Sequence, residues 1–97
     1  MLVEETGVYR DWINSLKELA ARARIQVRVD RLVHGNPGTH GHLTDGVSEL
    51  KIDIGPGYRV YYTIRGTRLL LLLAGGSKST QSRDIANAIR LALNYEE

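Results

Sequence analysis

Apolar and polar positions alternate most regularly between Gly46 and Tyr62, in GVSELKIDIGPGYRVYY. Leu50, Ile52 and Ile54 alternate with Glu49, Lys51 and Asp53; Tyr58, Val60, Tyr62 and Ile64 alternate with Arg59, Tyr61 and Thr63. A period of two puts one set on each face of a sheet. The pattern predicts a hairpin over about 47–64, with an apolar face for helices and an opposite face bearing Glu49, Lys51, Asp53, Arg59 and Tyr61. With only Gly55-Pro56-Gly57 in the loop, the simplest register sets Ile54 opposite Tyr58, Asp53 opposite Arg59, and Lys51 opposite Tyr61.

Upstream the spacing becomes helical. Val8, Trp12, Leu16 and Ala20 fall on one stripe, with Ile13 and Leu19 beside it, which predicts a helix over 7–20. A second helix follows at once, over about 21–34, with Ile25, Val29, Leu32 and Val33 inward and Arg24, Arg28 and Arg31 outward. Gly35-Asn36-Pro37-Gly38 ends it, with glycine past the last turn and proline soon after. Residues 1–6 read as a weak strand, and 39–43 as a short strand or a loop. Residues 68–74, nearly all leucine, fit a strand buried on both faces. Gly75-Gly76 is expected to end that strand, and Ser77 to Thr80 to open a last helix with Ile85, Ala88, Ile89, Ala92 and Leu93 as its apolar face. The expected fold is α+β, ordered β-α-α-β-β-β-α, an antiparallel meander packed against helices in one domain spanning 1–97.

Composition bounds this picture without changing it. A chain of 97 residues suits one modest core. The formal charge is +2, unevenly spread: Arg22, Arg24, Arg28 and Arg31 face only Asp30 in their segment. Such an excess permits a polyanionic partner without requiring one. With no cysteine, disulfides and thiolate metal sites are excluded, and a reducing cytoplasm is the expected location. The N-terminus lacks the basic-then-apolar pattern of a signal peptide, and the apolar run 69–74 is too short for a membrane helix.

Three groups carry candidate chemistry. The charged hairpin face is either a cross-strand ion pair on a solvated surface or a phosphate-binding surface, with Arg59 offering a planar fork of donors and Tyr61 a ring for stacking on a base. The segment Gly75-Gly76-Ser77-Lys78-Ser79-Thr80-Gln81 joins a buried strand to a helix start, where free amides, the hydroxyls of Ser77, Ser79 and Thr80, and Lys78 favour an anion. Ser79 or Thr80 is also the expected helix cap. His40 and His42 sit two apart near His34, but no carboxylate or cysteine completes a familiar metal-ligand spacing, so no metal and no other cofactor is expected. The arginine stripe of the second helix, including Arg24 and Arg28, is a solvated face or a partner surface.

The segments RARI, RLVHGNPG, DGVSELKIDIGPGYRVYY and LLLAGGSKSTQSRDIANA, in that order, resemble the RelE/HigB branch of the RelE/ParE toxin superfamily, and most closely its "addiction module killer protein" group. The likeness spans about residues 8–93. It implies the toxin of a bacterial type II toxin–antitoxin system, an endoribonuclease (mRNA interferase) that cuts mRNA on the ribosome. It also implies a cognate antitoxin of helix-turn-helix type. Carried over by position, it makes Lys51, Arg59 and Lys78 the catalytic cations; Tyr61, Ser77, Ser79, Thr80, Arg24 and Arg28 are the candidate RNA or phosphate contacts beside them.

Attack of a 2′-hydroxyl on the adjacent phosphate needs a proton acceptor, stabilisation of the pentacoordinate phosphate and a proton donor for the leaving oxygen. Arginine can stabilise charge but is a poor base. The last-helix tyrosine of the better-known relatives is replaced here by Gln81-Ser82-Arg83-Asp84, which leaves His42, Glu49 and Asp84 as acid or base. The alternatives are a ParE-like inhibitor of DNA gyrase, or a non-catalytic nucleic-acid or partner-binding domain of the same fold.

Overall fold

A computed structural model describes residues 1–96. Its elements are β1 (Leu2–Glu5), α1 (Gly7–Ser15), α2 (Leu19–Val33), β2 (His40–His42), β3 (Val47–Ile52), β4 (Tyr58–Arg65), β5 (Leu69–Ser77), a 3-10 turn (Lys78–Thr80) and α3 (Gln81–Asn94). One five-stranded sheet runs in the order β1-β5-β4-β3-β2. β1 lies parallel to β5, and the remaining neighbours are antiparallel. The fold is therefore α+β with a mixed sheet, and residues 40–42 resolve the earlier choice in favour of a short edge strand. No helix among the described residues is long and apolar enough to cross a membrane.

The sheet is covered on both sides. Leu50, Ile52, Val60, Tyr62, Leu70 and Leu72 meet Tyr9 and Ile13 of α1 and Ile25, Val29 and Leu32 of α2. On the other side Val47, Tyr61, Leu71 and Leu73 meet Ala88 and Ala92 of α3. The leucine run of β5 thus serves two cores, as its lack of alternation predicted. A bulge between the Tyr61↔Ala74 and Tyr62↔Leu72 pairs leaves Leu73 as the extra residue, so Leu73 and Ala74 both join the α3 side. Leu93, expected on the apolar face of α3, is instead exposed at 75%.

The helical hairpin breaks earlier than its periodicity suggested. Leu16 leaves the helical region at φ −71°, ψ 120°, and its side chain packs against the core. α2 begins only at Leu19, which is left exposed along with Ala20. The buried stripe of α1 is consequently Tyr9 and Ile13, with Val8 outward. Thr6 fixes the start of α1 twice over: its hydroxyl accepts from the Tyr9 amide at 3.1 Å and donates to the Leu73 carbonyl at 2.5 Å.

Two corrections bear on function. The β3–β4 ladder pairs Ile52 with Tyr58, Lys51 with Arg59, and Glu49 with Tyr61. The loop holds five residues, 53–57, rather than three, because Gly55 and Gly57 at φ 50° and 77° extend the turn and the Gly57 amide bonds back to the Ile54 carbonyl at 2.9 Å. The shift is an even number of residues, so the faces stay as predicted while every cross-strand partner changes. Second, β5 does not end at Gly75-Gly76 but runs through both to Ser77. These glycines mark close approaches. A Cβ on Gly75 would fall 2.1 Å from the Trp12 ring, and one on Gly76 would fall 1.9 Å from Asp84 Oδ2.

Candidate functional site

The corrected register gathers charge at one end of the α3-side face. Lys51 and Arg59 are direct cross-strand partners. Between them lies Glu49, only 2% exposed, with Oε1 3.9 Å from Lys51 Nζ and 4.0 Å from Arg59 Nε. Arg59 is 6% exposed; its Nη1 donates to the Tyr58 carbonyl at 3.1 Å and lies 3.7 Å from Asp53 Oδ1. The Asp53–Arg59 pair expected across the strands thus occurs diagonally, from the loop. The Lys51 side chain stays 40% exposed and brings its ammonium to the rim.

Lys78 arrives from the end of β5. Its amide donates to the Gly57 carbonyl at 2.7 Å, tying the 3-10 turn to the hairpin loop. A Cβ built on Gly57 would lie 3.4 Å from Lys78 Cβ and 3.9 Å from Arg59 Nη1, which places the stems of the two cations beside the same backbone. The Lys78 side chain itself is exposed. Lys51, Arg59 and Lys78, separated in sequence, thus surround the 53–57 loop and the start of α3. Beside them an open concavity of about 540 Å³, lined by residues 78–83 and Ile85, holds the Lys78 and Arg83 side chains and the first turn of α3.

The hydroxyls near this turn do not cap the helix. No side-chain cap bond forms at Ser77 or Thr80. Ser77 and Ser79 bond each other at 2.7 Å. Thr80 Oγ1 lies 2.5 Å from Asp84 Oδ2, to which it donates, and 3.3 Å from the Ser77 carbonyl. A buried carboxylate thus takes the hydroxyl that was expected to cap. Asp84, 7% exposed, also receives the more exposed Arg83 at 3.4 Å.

Tyr61 departs from expectation. Its side chain is fully enclosed, packed with Leu71, Leu73 and Ala88, so its ring offers no face to a base. Burial pushes its phenol well above the ordinary value, the Glu49 and Asp84 carboxylates push in the same direction, and Arg59 opposes them. The Tyr61 hydroxyl, Glu49 Oε2 and Arg59 Nε are buried without a hydrogen-bond partner. These three polar atoms share the sheet face on which Lys51 and Arg59 stand.

Other candidates lie elsewhere. His42 pairs with Ser48, and its Nδ1 is 2.8 Å from Ser48 Oγ. Ser48 is on the α2 side of β3, so His42 faces away from Glu49 and Arg59, and an acid–base role in this cluster is excluded by the pleat. Arg28 is spent on structure: its guanidinium donates to the carbonyls of Lys51, Pro37 and Thr39 at 2.8, 2.9 and 2.8 Å. Burial, with Arg31 beside it, lowers its pKa, Asp53 partly offsetting this. Arg24 is exposed on α2, which packs against the opposite sheet face. No group of three potential metal ligands forms among the described residues. The approach of Asp84 to Gly76 was not read from the sequence; a pair of glycines followed by a carboxylate in the next helix was its only trace.

The fold and site together define a small α+β protein with a cationic rim built over buried carboxylates at the end of its sheet. No protein-family model matches the chain. It is 44% identical over 90 residues to an uncharacterized protein of Haemophilus influenzae, an alignment covering 93% of this chain and 91% of that one. The chain belongs to the same family as that protein.

Proposed function

We propose that this protein is the toxin of a bacterial type II toxin–antitoxin system, an endoribonuclease that cuts mRNA on the ribosome by 2′-hydroxyl attack. The observation that carries the reading is the meeting of Lys51, Arg59 and Lys78 around one loop, above the shared carboxylate Glu49. The resemblance of GPGYRVYY and GGSKSTQ to the RelE/HigB branch had selected these same cations.

The roles follow from exposure. Lys51 and Lys78 reach solvent and take the non-bridging oxygens and backbone of the message. Arg59, fixed by Tyr58 and flanked by Glu49 and Asp53, presents a preorganised positive field to the charge that builds on the phosphate. Of the three acid–base candidates, His42 lies on the other face and Asp84 is occupied by Thr80. Glu49 is the carboxylate inside the cluster. Buried at 2% exposure, it anchors Lys51 and Arg59 rather than meeting the message; in this reading water takes the 2′-hydroxyl proton as the O–P bond forms, and the departing 5′-oxygen is protonated from Lys51 or Lys78. A cytoplasmic site of action and a helix-turn-helix antitoxin complete the proposal.

Induced expression in a bacterial host tests it. Growth should stop as messages are cleaved, and the doubly substituted Lys51→Ala/Lys78→Ala protein should let growth continue. Inhibition of gyrase supercoiling with messages intact would favour the gyrase reading. Unimpaired growth under wild-type expression would favour a non-catalytic binding domain.

A further inference from the structure

The buried carboxylate of Asp84 and the hydroxyl of Thr80 lie at the site but below its surface. Gly76 is the cross-strand partner of Arg59. Only hydrogen at Gly76 admits Asp84, since a Cβ there would meet Asp84 Oδ2 at 1.9 Å and Thr80 Oγ1 at 2.9 Å. Asp84 is thus seated directly over the β5 backbone beside Arg59. The Thr80 proton goes to Asp84 Oδ2 at 2.5 Å, while the Thr80 backbone closes the turn that begins at Ser77. The other end of that turn is held by the Lys78 amide on the Gly57 carbonyl at 2.7 Å. Lys78 therefore sits on a span pinned at two points, one on the hairpin loop and one on α3. Its side chain makes no ion pair among the described residues, so backbone placement alone brings it beside Arg59.

Sinking a carboxylate at 7% exposure against a largely exposed Arg83 is unfavourable compared with an apolar side chain. Its place in the first turn of α3 and the hydroxyl it accepts from Thr80 are what the carboxylate supplies there. We propose that Asp84 and Thr80 are positioning residues that fix the Lys78 turn beside Arg59, and that neither contacts RNA. This rests on the ribonuclease reading only for its effect on rate. The placement of Lys78 is a property of the folded chain and can be measured alone.

The experiment pairs amide hydrogen exchange at Lys78 with single-turnover cleavage on ribosomes programmed with a defined message, for the full chain and for Thr80→Val, Thr80→Ser and Asp84→Ala. In Thr80→Val and Asp84→Ala the Lys78 amide should exchange about tenfold faster, the scale of one lost hydrogen bond, while the amides of Leu71 and Leu72 keep their protection. Cleavage should slow at saturating ribosome, and Thr80→Ser should restore both readouts.

Weakened binding with Lys78 exchange unaltered would mean that Thr80 or Asp84 touches the message, and would overturn the proposal. Faster exchange throughout the core in Thr80→Val, not repaired by Thr80→Ser, would reduce the pair to general stability and overturn it as well. If the wild-type chain cuts nothing yet Lys78 exchange responds as stated, the positioning stands and the ribonuclease reading falls.

Discussion

Lys51 and Arg59 stand directly opposite each other on β3 and β4, with the carboxylate of Glu49 shared between them at 3.9 and 4.0 Å. Like charges facing each other across a ladder are destabilising, and Glu49 is the counter-charge that permits the arrangement. Glu49→Ala should therefore lower the unfolding free energy by about 3 kcal/mol, because Arg59 is left buried with less compensation. Asp53→Ala should cost under about 1 kcal/mol, since the Asp53 side chain is 79% exposed. Urea titration of both variants checks this, and the reverse ranking would restore the register that sets Asp53 across from Arg59.

The approach of Gly75 to Trp12 gives a steric prediction. A methyl at Gly75 would fall 2.1 Å from the Trp12 ring, and Trp12 in turn rests on Tyr9 and Tyr58 at centroid distances of 5.8 and 6.3 Å. Gly75→Ala should destabilise by about 3 kcal/mol through overpacking and shift the fluorescence of the protein's single tryptophan. In the Gly75→Ala/Trp12→Leu double variant the second change should cost much less than it does alone, and a thermodynamic cycle measures that coupling.

Alkaline stability follows from the buried phenols. Burial raises the Tyr61 and Tyr9 phenols above their ordinary value, with Glu49 adding to the first and Glu5 to the second. The folded state holds these protons more tightly than the unfolded chain. Their contribution is thus complete below the unfolded value near pH 10 and is lost as pH climbs from there toward the folded values. Unfolding free energy should fall steeply above about pH 10, and Tyr61→Phe should flatten the slope. Equilibrium denaturation at successive pH values reads this directly; an unchanged slope would contradict it.

Within the arginine stripe of α2, Arg28 is structural and Arg24 is exposed. Arg28 holds three carbonyls that join α2 to the 37–39 segment and β3. Arg28→Ala should cost about 2–3 kcal/mol, as expected for charge-assisted bonds lost from a partly buried group. Arg24→Ala should stay within about 0.5 kcal/mol of the parent. Thermal unfolding of the two variants checks the difference.

Alternation made the sheet faces legible, because a period of two depends only on the strand itself. Cross-strand partners did not follow from it: the loop length depends on Gly55 and Gly57 taking left-handed φ, and an even slip leaves the pattern unchanged. The earlier end of α1 was hidden because Leu16 suits a helical stripe as well as the core contact it makes after the turn. Gly75 and Gly76 read as a strand end because glycine commonly marks one, yet here each makes room for a side chain, Trp12 of α1 and Asp84 of the helix that follows. For the same reason Tyr61, placed on the charged face by alternation, could not be read as buried, since α3 covers it only in the folded chain. The family resemblance singles out Lys51, Arg59 and Lys78; that Gly57 joins two of them needed the fold.

Purified protein added to ribosomes stalled on a defined message, followed by primer extension, tests the proposed cleavage of mRNA by the Lys51, Arg59 and Lys78 cluster. New 5′ ends should arise within the codon in the ribosomal A site. Lys51→Ala/Lys78→Ala, which changes only solvent-reaching side chains, should yield them at least about a hundredfold more slowly. A wild-type chain that yields no new ends, or a double variant that yields them at the wild-type rate, would contradict the account.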